Sequence, residues 1–233
     1  MQKKLFLLDA YALIYRAYYA FIRNPIYNSK GLNTSAILGF TNTLVEILEK
    51  ENPTHIAVAF DPTTPTFRNE IYEEYKANRE QMPEDIQKSI PYIKEIIGAF
   101  NIPIIQKEGY EADDVIGTLA HKAKDHDFET YMMTPDKDYG QLLEEGIYIY
   151  KPKRSGAQGA EILDKEKICE QCSIERPEQV IDIMALMGDK SDNIPGAPGI
   201  GEKTAIKLIS KYGSIENLYE NINDLKGKQK ENL

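Results

Sequence analysis

Three acidic residues, Glu111, Asp113 and Asp114, fall within four consecutive positions of this sequence. They follow an apolar run at 102–105 and a turn at Gly109, and an apolar stretch comes after them. We therefore predict that they form the first turn of a helix that follows a strand. A single acid in that turn is common because it complements the helix dipole. Three acids so close together repel one another unless a cation lies among them, so the cluster indicates a metal site.

Acidic residues also come directly after three mostly apolar runs, which we predict to be strands of a parallel sheet. The acids and their runs are Asp9 after 4–8, Asp61 after 54–60, and Asp136 and Asp138 after 129–135. Open α/β sheets place their sites at the carboxyl ends of their strands. Because Asp136 and Asp138 lie two residues apart in an expected extended segment, we predict that their side chains point to the same side.

Two more acids, Asp189 and Asp192, follow a predicted helix at 180–187 and lie three residues apart, so they can face one direction. The full set of candidate metal ligands is Asp9, Asp61, Glu111, Asp113, Asp114, Asp136, Asp138, Asp189 and Asp192. Gathered in one pocket, these carboxylates would be too negative to coexist without divalent cations. Oxygen ligands without His or Cys select Mg²⁺ or Mn²⁺. Two such ions about 4 Å apart can activate water and stabilise the leaving oxygen of a phosphodiester.

Basic residues stand in two predicted helical regions. Lys76 and Arg79 belong to the charged segment 67–81, and in a helix they would point the same way. Such a segment usually forms a solvent-exposed face. Only the acidic residues around it in the sequence indicate that it has a function. Arg16 lies in a predicted helix at 10–22 that is rich in tyrosine, where plain packing by the tyrosines is an equally good reading for any one of them.

A glycine-rich turn at 193–204 leads into a predicted helix at 205–212. Its glycines let backbone N–H groups approach an anion at the helix N-terminus, and Lys203 adds a cation. The turn lacks the spacing of a nucleotide-binding P-loop and follows a helix, not a strand. A helix-hairpin-helix-like clamp on a nucleic-acid backbone fits it better, although a Gly-Ile-Gly turn alone is a weak signal.

Composition sets outer limits on these interpretations. The chain has 233 residues, 42% of them hydrophobic, and a net charge of −9, which argues against a polyanionic partner unless many acids are gathered at one metal site. It has no apolar run long enough for a membrane, and Asp9 comes too early for a signal peptide, so we expect a cytoplasmic protein. Cys169 and Cys172 are expected to be reduced structural thiols, and Lys151, Lys153 and Arg154 to belong to a flexible loop.

The order of predicted elements indicates an α/β fold with a central, mainly parallel sheet and flanking helices. From residue 165 onward the composition is helical, and we predict no further strand there. We therefore predict two regions, an α/β core at 1–165 and a helical region at 166–233.

Six motifs, in this order, resemble the 5′ nuclease domain of bacterial DNA polymerase I, which belongs to the flap endonuclease family. The motifs are Leu8-Asp9, Ala59-Phe60-Asp61, the charged residues 70–79, the Gly109–Asp114 run, Thr134-Pro135-Asp136-Lys137-Asp138, and the run 188–196. The resemblance extends along the whole chain. It implies a PIN-like core, a helical arch and a C-terminal helix-hairpin-helix-like region.

The resemblance implies a structure-dependent nuclease that cuts 5′ flaps and removes nucleotides from 5′ ends, RNA primers included, during DNA replication and repair. It assigns Asp9, Asp61, Glu111 and Asp113 to a first metal, with Asp114 in support. The second metal's implied ligands are Asp136, Asp138, Asp189 and Asp192. Lys76 and Arg79 match the basic residues that meet the scissile phosphate in the arch, and Arg16 lies near them.

The resemblance also assigns the glycine-rich turn to duplex binding, and in relatives that turn can hold K⁺. The implied DNA-binding residues there are Gly196, Gly199, Ile200, Gly201, Lys203 and Thr204. No polymerase region follows Leu233, so the chain is either a fragment of a polymerase or a stand-alone nuclease. Two alternatives stay open: a PIN-type metal-dependent ribonuclease, which usually lacks the arch and the glycine clamp, and a non-catalytic module that binds branched DNA.

Overall fold

The computed structural model describes residues 2–152 and 159–233. Their contacts divide them into two compact units. The first comprises Met1–Thr66, Gln81–Asp136 and Gly146–Ile162, and the second comprises Phe67–Glu80, Lys137–Glu145 and Leu163–Leu233. The predicted division at 165–166 stays a prediction. Of the three residues that we assigned to a loop, Lys151 lies in a strand, so its assignment was wrong, and Lys153 and Arg154 lie outside the described residues.

A six-stranded sheet has the strand order β3-β2-β1-β4-β5-β6, and a separate pair is formed by β7 and β8. The strands are β1 (Lys3–Asp9), β2 (His55–Ala59), β3 (Ile104–Ile105), β4 (Phe128–Met133), β5 (Ile147–Pro152), β6 (Ala160–Leu163), β7 (Gly188–Asp189) and β8 (Ile194–Pro195). Strands β1 to β5 pair in parallel. The prediction of a central, mainly parallel sheet with flanking helices is confirmed.

Helices occupy most of the remaining chain. They are α1 (Ala10–Ala20), α2 (Ser35–Lys50), α3 (Phe67–Ile71), α4 (Glu84–Ala99), α5 (Ala112–Lys124), α6 (Lys165–Cys172), α7 (Gln179–Met187), α8 (Glu202–Tyr212), α9 (Ile215–Glu220) and α10 (Lys228–Glu231), with 3₁₀ helices at Asp138–Leu142 and Ile222–Asp224. Among the described residues, no helix is both long enough and apolar enough to cross a bilayer.

The core of the first unit forms where β1 packs against α1, α2 and α4. Phe6 and Leu8 of β1, Phe40 of α2 and Ile93 of α4 are almost completely buried there. Burying each such side chain stabilises the fold by about 1.5–3 kcal/mol. Since Phe6 and Leu8 are both fixed in this core, the register of the strand is set, and Asp9 pairs with Ala59 of β2.

The second unit departs from the sequence predictions at three points. The charged segment is helical only over α3, and Lys76 has a left-handed backbone with φ 58°, so the prediction of a continuous helix to 81 was wrong. Asp138 begins a 3₁₀ helix instead of continuing an extended segment. The strands β7 and β8 form an antiparallel pair after residue 165, where we predicted none.

Candidate metal centre and phosphate-binding elements

Asp9 is the central residue of the acidic edge of the sheet. It is both the last residue of β1 and the N-cap of α1, and its Oδ1 accepts a hydrogen bond from the Ala12 amide over 3.1 Å. The pKa of its carboxyl is raised to about 6, chiefly by burial and also by the charges of Asp61 and Asp136, while the hydrogen bonds from Ala12 and Thr134 act in the opposite direction. The structure therefore brings three predicted ligands into electrostatic range of one another.

Thr134 is a residue of this edge that the sequence analysis missed. It is completely buried, its hydroxyl donates to Asp9 Oδ2 over 3.3 Å, and its oxygen accepts from the Asp136 amide over 3.2 Å. The hydroxyl thus links the ends of β1 and β4. Its position next to Pro135, at the point where a strand ends on acids, was the signal available in the sequence.

The first turn of α5 is built as predicted, by the acidic cluster itself. Glu111 is the N-cap, its side chain accepts from the Asp114 amide, and the Asp114 side chain accepts from the Glu111 amide over 2.9 Å. Asp113 Oδ1 accepts from the Asp114 amide over 2.7 Å. This reciprocal capping gives Asp114 a clear structural role, since it satisfies an otherwise unpaired helix donor.

Within residues 2–152 and 159–233, no three His, Cys, Asp or Glu side chains are already arranged to hold a metal ion. In this structure Asp9, Asp61, Glu111 and Asp113 all accept hydrogen bonds from backbone amides. The donor set nevertheless suits a hard divalent cation: it contains only oxygen ligands, and its charges already disfavour one another at Asp9.

The acids of the second unit lie in or beside the β7–β8 pair and at the 3₁₀ helix. Asp138 begins that helix, and Asp189 is the last residue of β7. Burial raises the pKa of Asp189, but hydrogen bonds from Ser191 and Asp192 outweigh it, so the pKa lies below its usual value. Asp189 is therefore held in its charged form, as a metal ligand must be.

Asp192 contacts the two predicted phosphate-binding cations of the same unit. Arg79 Nη2 lies 2.6 Å from its Oδ1, and Lys76 Nζ lies 3.8 Å from its Oδ2. The two side chains thus point to one partner, as predicted, although the backbone between them is not a helix. Tyr75, which the sequence analysis missed, donates to the same Oδ2 over 2.9 Å.

The glycine-rich turn contains two kinds of glycine. A Cβ on Gly196 would lie 2.3 Å from the carbonyl carbon of Met187, so glycine is required there by the close approach of two backbones. A Cβ on Gly201 would meet nothing within 4 Å, and Gly201 is the N-cap of α8 without a side-chain cap.

The open end of α8 is the part of this turn suited to an anion. Ile200 is 5% exposed and anchors the turn in the unit, whereas Gly199 and Lys203 are exposed. Thr204 donates its amide to the Gly201 carbonyl over 2.9 Å and so closes the first helical turn. An exposed lysine beside an uncapped helix N-terminus fits a phosphate group.

Arg16 has a structural partner within the first unit. Its Nη2 donates to the carbonyl of Pro152 over 2.7 Å and so joins α1 to β5, and burial lowers the pKa of its guanidinium. A DNA contact by Arg16 stays a prediction.

Cys169 and Cys172 are free thiols in α6, and burial raises the pKa of both.

Two known domain families match the chain in succession. Residues 4–173 match the 5′-3′ exonuclease N-terminal resolvase-like domain, and residues 175–233 match the 5′-3′ exonuclease C-terminal SAM fold. DNA polymerase I of Bacillus caldotenax is 44% identical over 234 residues, which cover 100% of this chain and 26% of the relative. The chain thus spans about a quarter of the length of the curated relatives it matches.

Solved structures share the fold at lower identity. The T5 5′-exonuclease with bound divalent metal ions (zinc) has a TM-score of 0.74 and 23% identity, covering 98% of this chain and 82% of that protein. A T5 flap endonuclease solved as a pseudo-enzyme-product complex with DNA and metal ions has a TM-score of 0.74 and 22% identity, covering 99% and 84%. At these identities the likeness concerns the fold.

Proposed function

The chain belongs to the 5′-3′ exonuclease family, and from that premise we propose that it hydrolyses phosphodiester bonds at 5′ ends and 5′ flaps of DNA with divalent metal ions. One observation carries the proposal: the buried carboxyl of Asp9 lies within range of the charges of Asp61 and Asp136 at the carboxyl edge of a parallel sheet. Carboxylates held this close favour a cation. The T5 relatives are described with divalent metal ions and, in one case, with DNA.

The residues of the first unit supply the ligands for the first ion. Asp9, Asp61, Glu111 and Asp113 would hold it, and Asp114 keeps the α5 turn in place through its capping bonds. When bound, such ions supply Lewis acidity and an activated water molecule. The ligands for a second ion, Asp136, Asp138, Asp189 and Asp192, stay a prediction from the family resemblance, as does the choice of Mg²⁺ or Mn²⁺.

The second unit supplies contacts to the nucleic acid. The exposed α8 N-terminus, with Gly199, Gly201 and Lys203, would bind a phosphate of the duplex without reading its sequence. Lys76 and Arg79 would meet the scissile phosphate and offset the charge that builds during the reaction. K⁺ at the glycine-rich turn is a further prediction.

The wider biological setting also belongs to this proposal. The substrates would include 5′ flaps, nicks and 5′ ends of DNA, together with RNA primers, in replication and repair. The relatives are DNA polymerases, so a polymerase region in the same protein is the expected partner. A cytoplasmic location stays a prediction.

A cleavage assay tests the proposed function. The chain would be incubated with end-labelled flap, nicked and single-stranded DNA, and with structured RNA, in Mg²⁺ and in excess EDTA. We expect Mg²⁺-dependent release of short 5′ products from the flap and the nick. The matched control is Asp113→Ala, which should bind the flap and leave it intact.

Each other result favours a different function. Cleavage of RNA alone would favour the PIN-type ribonuclease. Tight flap binding without cleavage in Mg²⁺ or Mn²⁺ would favour the binding module. Full cleavage in EDTA would contradict the metal-dependent mechanism.

A further inference from the structure

Asp192 holds two parts of the second unit together. The part of the charged segment that lies in this unit is Phe67–Glu80, and we call residues 188–195 the hairpin. Arg79 Nη2 donates to Asp192 Oδ1 over 2.6 Å, and the Tyr75 hydroxyl donates to Oδ2 over 2.9 Å. Lys76 Nζ lies 3.8 Å from Oδ2. Both carboxylate oxygens therefore face donors from the charged segment.

Backbone groups extend this contact along both partners. The further hydrogen bonds are Lys76 N to Asp192 O at 3.0 Å, Arg79 Nε to Ser191 O at 3.3 Å, Asn78 Nδ2 to Lys190 O at 2.7 Å and Asn193 Nδ2 to Glu74 O at 2.8 Å. The charged segment is thus attached over several successive residues, although it forms a helix only at α3.

Burial and backbone strain both indicate that this contact determines the backbone conformation of the charged segment. Tyr75 is 6% exposed and the Asp192 side chain 16%, so the charge-assisted bonds lie partly out of water, where they are stronger. Lys76 and Asn193 have positive φ of 58° and 59° on the two facing partners. A lysine in the left-handed region is strained, and such strain persists only where surrounding contacts compensate for it.

We propose that Asp192 is a latch that holds the charged segment on the hairpin until a divalent cation binds, and that it then releases the segment. The inference rests on the proposed function, because it takes Asp192 as a metal ligand and Lys76 and Arg79 as phosphate contacts. Those two roles compete with the contact seen here, since Arg79 donates to Asp192 Oδ1, and Oδ2 accepts from Tyr75 with the Lys76 ammonium 3.8 Å away.

The latch makes metal binding a precondition for binding the scissile phosphate. If Asp192 held a cation, the cation would compensate the negative charge of its carboxylate and would repel Lys76 and Arg79. Without the carboxylate, the bonds from Arg79 and Tyr75 are lost, and the remaining contacts compensate less for the strained backbone at Lys76. The two cations then become available to phosphate, so the charged segment is mobile only in the metal-loaded protein.

Hydrogen exchange of the full chain, without DNA, tests the latch directly. The measured quantity is the exchange rate of the Lys76 amide, which donates to Asp192 O, in peptides covering 72–80. In EDTA, Asp192→Asn should raise that rate about tenfold and Tyr75→Phe about threefold. The matched control, Glu73→Gln, removes an exposed acid of the same segment and should leave the rate unchanged. Mg²⁺ should raise the wild-type rate to that of Asp192→Asn.

The outcomes separate this inference from the proposed function. Equal exchange in wild type and Asp192→Asn in EDTA overturns the latch, whatever the cleavage assay gives. Unchanged wild-type exchange on adding Mg²⁺ overturns release by the metal. If Asp192→Asn also raises the exchange rate in α8, the test depends on Tyr75→Phe alone. An unchanged exchange rate of the Lys76 amide in Tyr75→Phe then overturns the latch. The expected exchange pattern in a chain that does not cleave would contradict only the nuclease proposal.

Discussion

The carboxylate of Asp61 accepts a 2.6 Å hydrogen bond from the backbone amide of Ala112. Asp61 follows β2, and Ala112 is the first residue of α5, so this bond joins a strand end to the acidic helix turn within the first unit. The amide also occupies an oxygen that the proposed site would offer to a cation. The proposed metal binding and the capping of α5 would therefore use the same acids.

The first prediction compares Asp113 with Asp114. We expect Asp113→Ala to reduce single-turnover flap cleavage at least about a hundredfold, because it removes a proposed ligand without removing the caps of α5. Asp114→Ala should cost less activity but about 1 kcal/mol of stability, because it removes half of the capping box. Quenched-flow cleavage and urea unfolding measure the two effects. Wild-type cleavage by Asp113→Ala would contradict its role as a ligand.

The second prediction concerns Asp9 without metal. Its folded-state pKa is about 6, above the ordinary 3.8, so the folded protein binds this proton more tightly than the unfolded chain and loses stability as pH rises from about 4 to above 6. In EDTA at pH 7.5, Asp9→Asn should raise the free energy of unfolding by about 1–3 kcal/mol, and this gain should vanish near pH 4.

Two controls accompany the Asp9 measurement. Glu84→Gln changes an exposed acid and should alter stability by less than about 0.5 kcal/mol at either pH. In Mg²⁺ the order should reverse, because ligand binding then stabilises only the wild type. A variant that is less stable than the wild type at pH 7.5 in EDTA would show that the Asp9 charge is not disfavoured.

The sequence predicted the sheet and its acidic edge well because both depend on local patterns. Strands β1, β2 and β4 are buried parallel strands, which appear as apolar runs, and their ends coincide with Asp9, Asp61 and Asp136 within a few residues. The first turn of α5 was predictable for the same reason, since its capping box is contained in the sequence.

The charged segment was harder to predict because distant residues determine its conformation. Its composition suits a helix, but the hairpin supplies Asp192 more than a hundred positions later, and the contact holds Lys76 at positive φ. Strands β7 and β8 have two residues each, too few for any period to show. At the proposed metal site, backbone amides and a cation compete for the same carboxylates. The spacing of the residues in the sequence does not encode how that competition orients the side chains.

The third prediction separates the two kinds of glycine in the glycine-rich turn. Gly196→Ala would place a Cβ 2.3 Å from Met187 backbone atoms, so we expect it to cost about 2 kcal/mol or more of stability. Gly201→Ala has open space and an ordinary φ of −99°, so stability should change little, while flap affinity falls because the new methyl group obstructs phosphate. Denaturant unfolding and fluorescence anisotropy measure these quantities. Unchanged affinity of Gly201→Ala would remove the α8 N-terminus from the binding surface.

The fourth prediction concerns Lys203. If this exposed lysine contacts one phosphate, Lys203→Ala should weaken flap binding whatever the sequence and should shallow the slope of log affinity against log salt by about 1. The matched control is Lys207→Ala, one turn further along α8 and away from its N-terminus. Identical salt slopes for the wild type and Lys203→Ala would assign Lys203 to the solvated surface.

The last prediction tests Lys76 and Arg79 together in the presence of Mg²⁺. If they offset charge at the scissile phosphate, replacing both with alanine should slow single-turnover cleavage about a hundredfold, while flap affinity stays nearly normal because the α8 turn supplies it. Stability should fall by no more than about 1 kcal/mol, since Arg79 is half exposed. The control variant Lys50→Ala/Lys88→Ala also removes two cations, from exposed i,i+4 pairs, and should cleave normally. Equal cleavage rates for the two double variants under saturating conditions would show that Lys76 and Arg79 do not act at the scissile phosphate.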